Sequence, residues 1–235
     1  MNRTVEKTIK FLLDECIPPV IRDSKLFMKI PLMVAFRKKN RHFLSFKEKV
    51  AFCHSESFFS EIYRETGTVS IQSEGTDLSD KAMDLIKKEI LGTRVLDAGC
   101  GKGRLASILS EDRSVTACDI VIDKKTIEQY PEISFHETDI CSLPFSDKQF
   151  ETVTCTHTLE HIWDIESAVK ELRRVAEKRL IIVVPKERPY KYAFNLHLHF
   201  FTFPYQVIRM FSRDGNSANR RLEDLGNCWY CREDL

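Results

Sequence analysis

Arg94-Val95-Leu96-Asp97-Ala98-Gly99-Cys100-Gly101-Lys102-Gly103 is the stretch that decides how this chain folds. A short apolar strand ends in an acidic residue, and glycines at alternate positions then open into a helix. Glycine serves where backbone must approach a ligand with no Cβ in the way, and where φ turns positive. The helix start that follows presents free N–H groups and partial positive charge, which suits a carboxylate or phosphate. A dinucleotide fingerprint requires G-x-G-x-x-G. Counted from Gly99 and Gly101, Arg104 occupies the place of its third glycine. The pattern is D-x-G-x-G-x-G instead, with Asp97 available for an ammonium group. Taken alone, this spacing also fits a glycine-rich turn in some other βα unit, so the neighbouring segments must decide.

Downstream, Leu105-Ala106-Ser107-Ile108-Leu109 is amphipathic and Ser114-Val115-Thr116-Ala117-Cys118-Asp119 reads as a second strand. Asp119 closes it about 20 residues past the glycine turn, where nucleotide-binding α/β folds place an acid on ribose hydroxyls. A carboxylate there can accept both hydroxyl protons. A third strand, residues 133–137, runs into Thr138-Asp139-Ile140-Cys141-Ser142-Leu143-Pro144-Phe145. A fourth starts at Phe150-Glu151-Thr152-Val153-Thr154-Cys155 and leads into Thr156-His157-Thr158-Leu159-Glu160-His161-Ile162. Residues 166–177 predict an amphipathic helix, followed by Leu180-Ile181-Ile182-Val183-Val184, an apolar run typical of a strand covered on both faces. A helix over 203–211 and a closing hairpin of 218–223 with 227–232 complete the set.

These segments, in this order, resemble the class I S-adenosylmethionine-dependent methyltransferases, in their type 11-like, small-molecule branch. The resemblance runs from about residue 90 to the last residue. It implies an α/β fold: a doubly wound, Rossmann-like sheet of seven mostly parallel strands, the last antiparallel, carrying an N-terminal helical cap. It implies that Asp97 and the loop of Gly99, Gly101 and Gly103 face the methionine end of S-adenosyl-L-methionine. Asp119 and Ile120 would meet the ribose, Asp139 the exocyclic amine and Ile140 the adenine edge, with Thr156 ending the fourth strand beside them. Glu151 stands where the family usually has Asp. By the same resemblance, His161 borders the transferred methyl group.

Composition bounds the rest. With 43% hydrophobic and 30% charged residues, the 235-residue chain has the make-up of a soluble globular protein. It holds either one large domain or a domain plus a cap. We expect residues 1–75 to form the helical cap and 76–235 the catalytic domain, with the segment from Tyr63 to Gln72 nearest the cofactor. Pro18-Pro19 and Pro31 are expected to break the cap helices, Ser45-Phe46-Lys47-Glu48 to form a capping box, and 57–64 and 78–90 to be helical. Lacking an apolar run of transmembrane length or a signal-peptide core, and carrying 8 cysteines, the chain is expected to be cytoplasmic with reduced thiols. Cys228-Trp229-Tyr230-Cys231 is a single C-x-x-C whose cysteines face opposite sides of a strand, which argues against a metal or redox pair. No metal site is expected.

Charge is uneven: residues 1–50 carry +7 and the remainder −6. The basic part contains Arg37-Lys38-Lys39-Asn40-Arg41 after the apolar Phe27–Phe36 stretch. Two readings stand: a membrane surface or anionic partner, and an ordinary helix whose apolar side packs while its cations are solvated; the second is favoured.

Ligands of such sheets bind beyond the carboxyl ends of the strands. That places His157 and His161 after the fourth strand, and Lys186, Arg188, Lys191, His197 and His199 after the fifth. Methyl transfer from a sulfonium is an in-line displacement in which the protein aligns reactants and excludes water. A hydroxyl acceptor also needs a base, and His161 and His199 are the candidates; the alternative for each is a structural histidine that ties loops together. His157, Lys186, Arg188, Lys191 and His197 are the candidate acceptor contacts, and the cations point to an anionic, phosphoryl-bearing acceptor such as a surface-glycan precursor. The absence of an Asn/Asp-Pro-Pro-Tyr/Phe motif argues against DNA amino-methylation. A tRNA methyltransferase and a non-catalytic cofactor-binding partner subunit remain as alternatives to a small-molecule O-methyltransferase.

Overall fold

The computed structural model describes residue 12 and residues 16–66, 76–192, 194–211 and 219–235. The chain divides into two compact units, Met1–Glu74 with Arg188–Leu198, and Gly75–Glu187 with His199–Leu235. The segment Arg188–Leu198, grouped by sequence with the second domain, thus belongs with the first unit.

In the first unit, α1 (Pro19–Arg22) begins on a proline, where a missing N–H costs nothing. Helix α2 (Lys25–Phe36) then runs through Pro31, contrary to the expected break. Met28 and Leu32, both buried, straddle the proline, so packing holds the two turns together at the loss of one backbone hydrogen bond. After a 3₁₀ turn at Arg37–Lys39 comes α3 (Asn40–Val50). Ser45 lies inside α3 and is not its cap; its Oγ donates to the Arg41 carbonyl at 2.8 Å. The helix starts upstream because Phe43, Leu44, Phe46 and Val50 form one continuous buried stripe. Helix α4 (Glu56–Thr66) completes the described N-terminal helices. Of the segment expected nearest the cofactor, Gly67 to Gln72 lies outside the described residues. Arg188–Leu198 is tied in by the Lys191 N–H, which donates to Asp23 Oδ1 at 3.2 Å, and by the Arg22 guanidinium 4.9 Å from the Tyr190 ring centre.

The second unit starts with α5 (Asp80–Glu89), capped by the Ser79 hydroxyl, which accepts from the Ala82 N–H. Then follow β1 (Arg94–Ala98), α6 (Arg104–Leu109), β2 (Ser114–Asp119), α7 (Lys124–Gln129), β3 (Ser134–Glu137) and β4 (Phe150–Thr156). Helix α8 (Ile165–Val175), β5 (Ala176–Pro185), α9 (Pro204–Phe211), β6 (Arg220–Asp224) and β7 (Cys228–Asp234) finish the chain. The seven strands form one sheet in the order β3-β2-β1-β4-β5-β7-β6. Strands β1 to β5 pair in parallel, whereas β7 runs antiparallel between β5 and β6. Both faces are covered. Leu96, Leu180, Ile182 and Cys231 pack in one apolar cluster with α8 and α9, while Val95, Ile181 and Cys228 pack in the other with α5 and α6. Cys228 and Cys231 therefore face opposite sides, and all eight cysteines are free thiols. Each fully buried Leu, Ile or Val in these layers contributes about 1.5–3 kcal/mol. Helix α8 ends two residues earlier than expected because β5 begins at Ala176, which pairs with Phe150. No helix of the described residues is long and apolar enough to cross a membrane.

Glu151 proves structural. At the amino end of β1 its Oε2 accepts from the Thr93 N–H at 2.7 Å and the Arg94 N–H at 3.2 Å, while Oε1 meets Lys178 Nζ at 2.6 Å. Lys178 and these two amides hold its pKa down at about 2. Gly92 has φ +75°, and a Cβ there would lie 2.2 Å from the Glu151 carboxyl carbon. A depressed carboxyl pKa stabilises the fold above its unfolded value and ceases to as pH falls through the folded one. Glu151→Gln should therefore lower the urea midpoint at neutral pH. The gap to the parent should stay full down to about pH 4.5 and close as pH approaches about 2.

Candidate active site

Strand order reverses at β1, whose neighbours are β2 on one side and β4 on the other, and the carboxyl ends of these strands carry the polar groups. Asp97 is 1% exposed. Its Oδ1 accepts from the Thr154 hydroxyl of β4 at 3.0 Å, and its Oδ2 is buried with no hydrogen bond. Burial pushes its pKa up to about 7, the Thr154 bond offsets part of this, the nearby Asp119 charge adds to it, and the Ala106 N–H at the start of α6 pulls weakly the other way. A lone buried oxygen of this kind suits an ammonium partner.

The glycine loop folds back over β2. The Gly99 and Cys100 N–H groups both donate to the Cys118 carbonyl, at 2.7 and 3.0 Å. Gly99 has φ +77°, and a Cβ there would strike Thr158 Oγ1 at 2.1 Å, so the β4 loop lies directly against it. Gly101, at φ +52°, has open space where a Cβ would project. The loop is therefore packed against Thr158 at Gly99 and open at Gly101. Gly103 caps α6 in left-handed backbone, with Phe135 and Thr126 closing in behind it.

Asp119 braces the loop. Its Oδ2 accepts from the Gly101 N–H and its Oδ1 from the Ile120 N–H, both at 2.8 Å. Burial raises its pKa, and the amides of Gly101, Ile120 and Val121 counter that. Asp139 turns the loop after β3 by accepting the Cys141 N–H at 2.8 Å, and Ile140 sends its side chain into the core. That loop is held from α8. Glu171 accepts the Leu143 N–H at 2.9 Å, and Arg174 donates to the carbonyls of Leu143 and Phe145 at 2.9 and 2.7 Å.

Beyond β4, the Thr156 carbonyl accepts from the Thr158 hydroxyl at 3.0 Å. His157 adopts φ +51°, unusual for a residue with a side chain. Its Nδ1 lies 3.6 Å from Glu160 Oε1, and its Nε2 is buried without a hydrogen bond. Burial opposes its charge, but Glu160, Asp77 and Glu187 outweigh that and raise its pKa. His161 sits in the 3₁₀ turn Leu159–His161. His199 is a pin: its Nε2 meets the Ile162 carbonyl at 2.8 Å, so that nitrogen must carry the proton, and its N–H donates to the Glu160 carbonyl at 3.0 Å.

The expected cation cluster is not assembled within this unit. Lys186 Nζ is bound to Asp224 Oδ2 at 2.5 Å and lies over the Trp229 ring, because the antiparallel hairpin brings Asp224 alongside. Arg188, Lys191 and His197 belong to the other unit. The structure thus ties Gly101 to Asp119 by a hydrogen bond and Gly99 to the neighbouring Cys118 carbonyl, with Asp97 near enough to feel the Asp119 charge. Sequence reading missed Thr154, Thr158, the Glu160 partner of His157 and the Glu171–Arg174 clamp. Buried threonines at alternate positions of an otherwise apolar strand were the available signal for the first.

An acid whose pKa is raised by folding favours the fold below its unfolded value of 3.8, and that contribution fades as pH rises through about 7. Asp97→Asn should flatten this dependence. Urea midpoints of parent and variant should diverge in the variant's favour between about pH 4 and about pH 7.

Residues 96–184 match the family model of a methyltransferase domain. The 2-phytyl-1,4-naphtoquinone methyltransferase of Nostoc punctiforme is 32% identical over 96 residues, covering 36% of this chain and 42% of that one. The ubiquinone biosynthesis O-methyltransferase of Paracidovorax citrulli is 34% identical over 95 residues, covering 37% and 40%. The chain spans less than half the length of these curated relatives. In fold it is similar to the 1,6-didemethyltoxoflavin-N1-methyltransferase of Burkholderia thailandensis, with a TM-score of 0.58 at 17% identity over 76% of this chain and 86% of that one. With its seven-stranded topology and its acid-ended glycine loop, the α/β unit resembles the class I, S-adenosylmethionine-dependent methyltransferases, and the methyltransferase-domain match lies within it.

Proposed function

We propose that this chain transfers a methyl group from S-adenosyl-L-methionine to a small molecule. The observation that carries the reading is the unpartnered, buried Asp97 Oδ2 beside the open backbone at Gly101. Asp97 would hold the cofactor's ammonium group, and the N–H groups at the start of α6 its carboxylate. Each Asp119 oxygen accepts one loop amide and keeps lone pairs for a ribose hydroxyl. Asp139 retains Oδ2 for the adenine amine, and Ile140 offers only its backbone. The bound cofactor supplies an electrophilic methyl group on a sulfonium. The protein's share is then alignment and exclusion of water.

The finer reading is O-methylation, with a histidine of the β4 loop taking the acceptor proton. His157 and His161 suit that role; His199 is committed to the Ile162 carbonyl and holds the loop. Of the cations that prompted the anionic-acceptor reading, Lys186 is committed to Asp224. The quinone-type acceptors named for the curated relatives suggest a neutral aromatic hydroxyl as the competing class.

Cofactor binding should displace the Asp97 proton, because an adjacent ammonium favours the carboxylate. Titration calorimetry with S-adenosylhomocysteine in buffers of different ionisation enthalpy should show release approaching about one proton at pH 6, falling towards zero at pH 8. Asp97→Asn should release none. No binding by the parent would overturn the reading. Two acceptor panels, phosphorylated or nucleotide-linked metabolites and aromatic diols, should then be screened for S-adenosylhomocysteine production. Turnover of the first supports the anionic acceptor and of the second the neutral one, while binding with no turnover favours a partner subunit.

A further inference from the structure

Helix α2 is apolar on two opposite sides. Met28 and Leu32 are buried, at 1% and 0% exposure, and pack its inner face. At 100° per residue, Leu26, Ile30, Met33 and Val34 fall within an arc of about 100° centred opposite them. They are 79%, 63%, 49% and 75% exposed. Isolated surface leucines need no explanation, but a continuous stripe of four large aliphatic side chains marks an interaction surface.

Charge decides what covers it. Lys29 borders the stripe on the same helix, and Arg37, Lys38 and Arg41 follow at its end; all four are exposed. None of their side chains makes an ion pair or hydrogen bond with another described residue, unlike Lys25, which meets Glu48 at 3.3 Å, and Lys39, which donates to the Thr66 carbonyl. The first 50 residues carry +7 while the rest of the chain carries −6. A helix in the plane of a bilayer needs this combination: aliphatic side chains for the acyl boundary and unpaired cations for anionic headgroups. We propose that the outer face of α2, with Lys29, Arg37, Lys38 and Arg41, docks this chain on an anionic lipid surface. Pairing of two copies through this stripe would set the same cations against each other, which disfavours self-association.

The proposal is independent of methyl transfer, since its test reads vesicle binding without cofactor. The full chain should co-sediment with vesicles of phosphatidylglycerol and phosphatidylcholine, and far less with phosphatidylcholine alone. Arg37→Ala and Lys38→Ala should each weaken binding about fivefold, and added salt should mimic them. Ile30→Glu with Val34→Glu should weaken it by about tenfold or more. Because both residues are exposed, circular dichroism and the thermal midpoint should match the parent; Ile30→Ser serves if they do not. Failure of the parent to bind anionic vesicles would overturn the proposal. So would equal binding by the Ile30 variants, or a dimer of the parent that Ile30→Glu dissociates while vesicle binding is absent.

Discussion

Two carboxylates that end neighbouring parallel strands, Asp97 on β1 and Asp119 on β2, set the constraint on which the glycine loop depends. Both are raised in pKa, with burial the leading cause, and Asp119 adds to the rise at Asp97. The chain answers them differently. Asp119 receives one backbone amide from the loop, at Gly101, and one from the following Ile120, so its charge is met and the first of these bonds also fixes the loop. Asp97 receives one hydroxyl, from Thr154, and keeps an oxygen without a partner. A buried acceptor left in that state is costly unless something positive arrives. The fold therefore holds a binding preference in reserve, and the loop geometry follows from how one acid is satisfied and the other is not.

The β4 loop carries the second unbalanced group. His157 sits in left-handed backbone with three acids acting on it, and one of its nitrogens is buried without a hydrogen bond. Strained backbone persists where surrounding packing over-determines it, and such positions concentrate at working sites. Here the packing is specific. Thr158 presses on Gly99, the His157 N–H donates to the Val183 carbonyl, and His199 anchors the far end of the turn. A shift in the glycine loop would be felt at His157 through Thr158, because no Cβ-sized gap separates them.

Much of this was legible in the sequence, for local reasons. The strand ends at Asp97 and Asp119 could be read because β1 and β2 are short apolar runs bounded by turn residues, and the switch in period needs no tertiary knowledge. The closing hairpin was legible for the same reason. What the sequence hid depends on contacts far apart along the chain. Pro31 stays helical because residues on either side of it pack. Ser45 looked like a cap because Glu48 follows it, yet α3 starts five residues earlier, at Asn40, and its buried stripe already begins at Phe43. Lys186 looked available until the hairpin placed Asp224 beside it, a pairing across 38 residues. The basic N-terminal segment was read as a helix with one packed side; its composition did not reveal that apolar residues occupy both sides of α2.

Charge within the α/β unit acts on the β4 loop. Asp77, Glu160 and Glu187 all favour the cationic form of His157. Lys186, directly after β5, is paired with Asp224. The raised pKa of His157 then has a definite consequence for a base: it works only in its neutral form, so the fraction ready to accept a proton grows as pH rises through that pKa. The acids that hold His157 in place also postpone its availability.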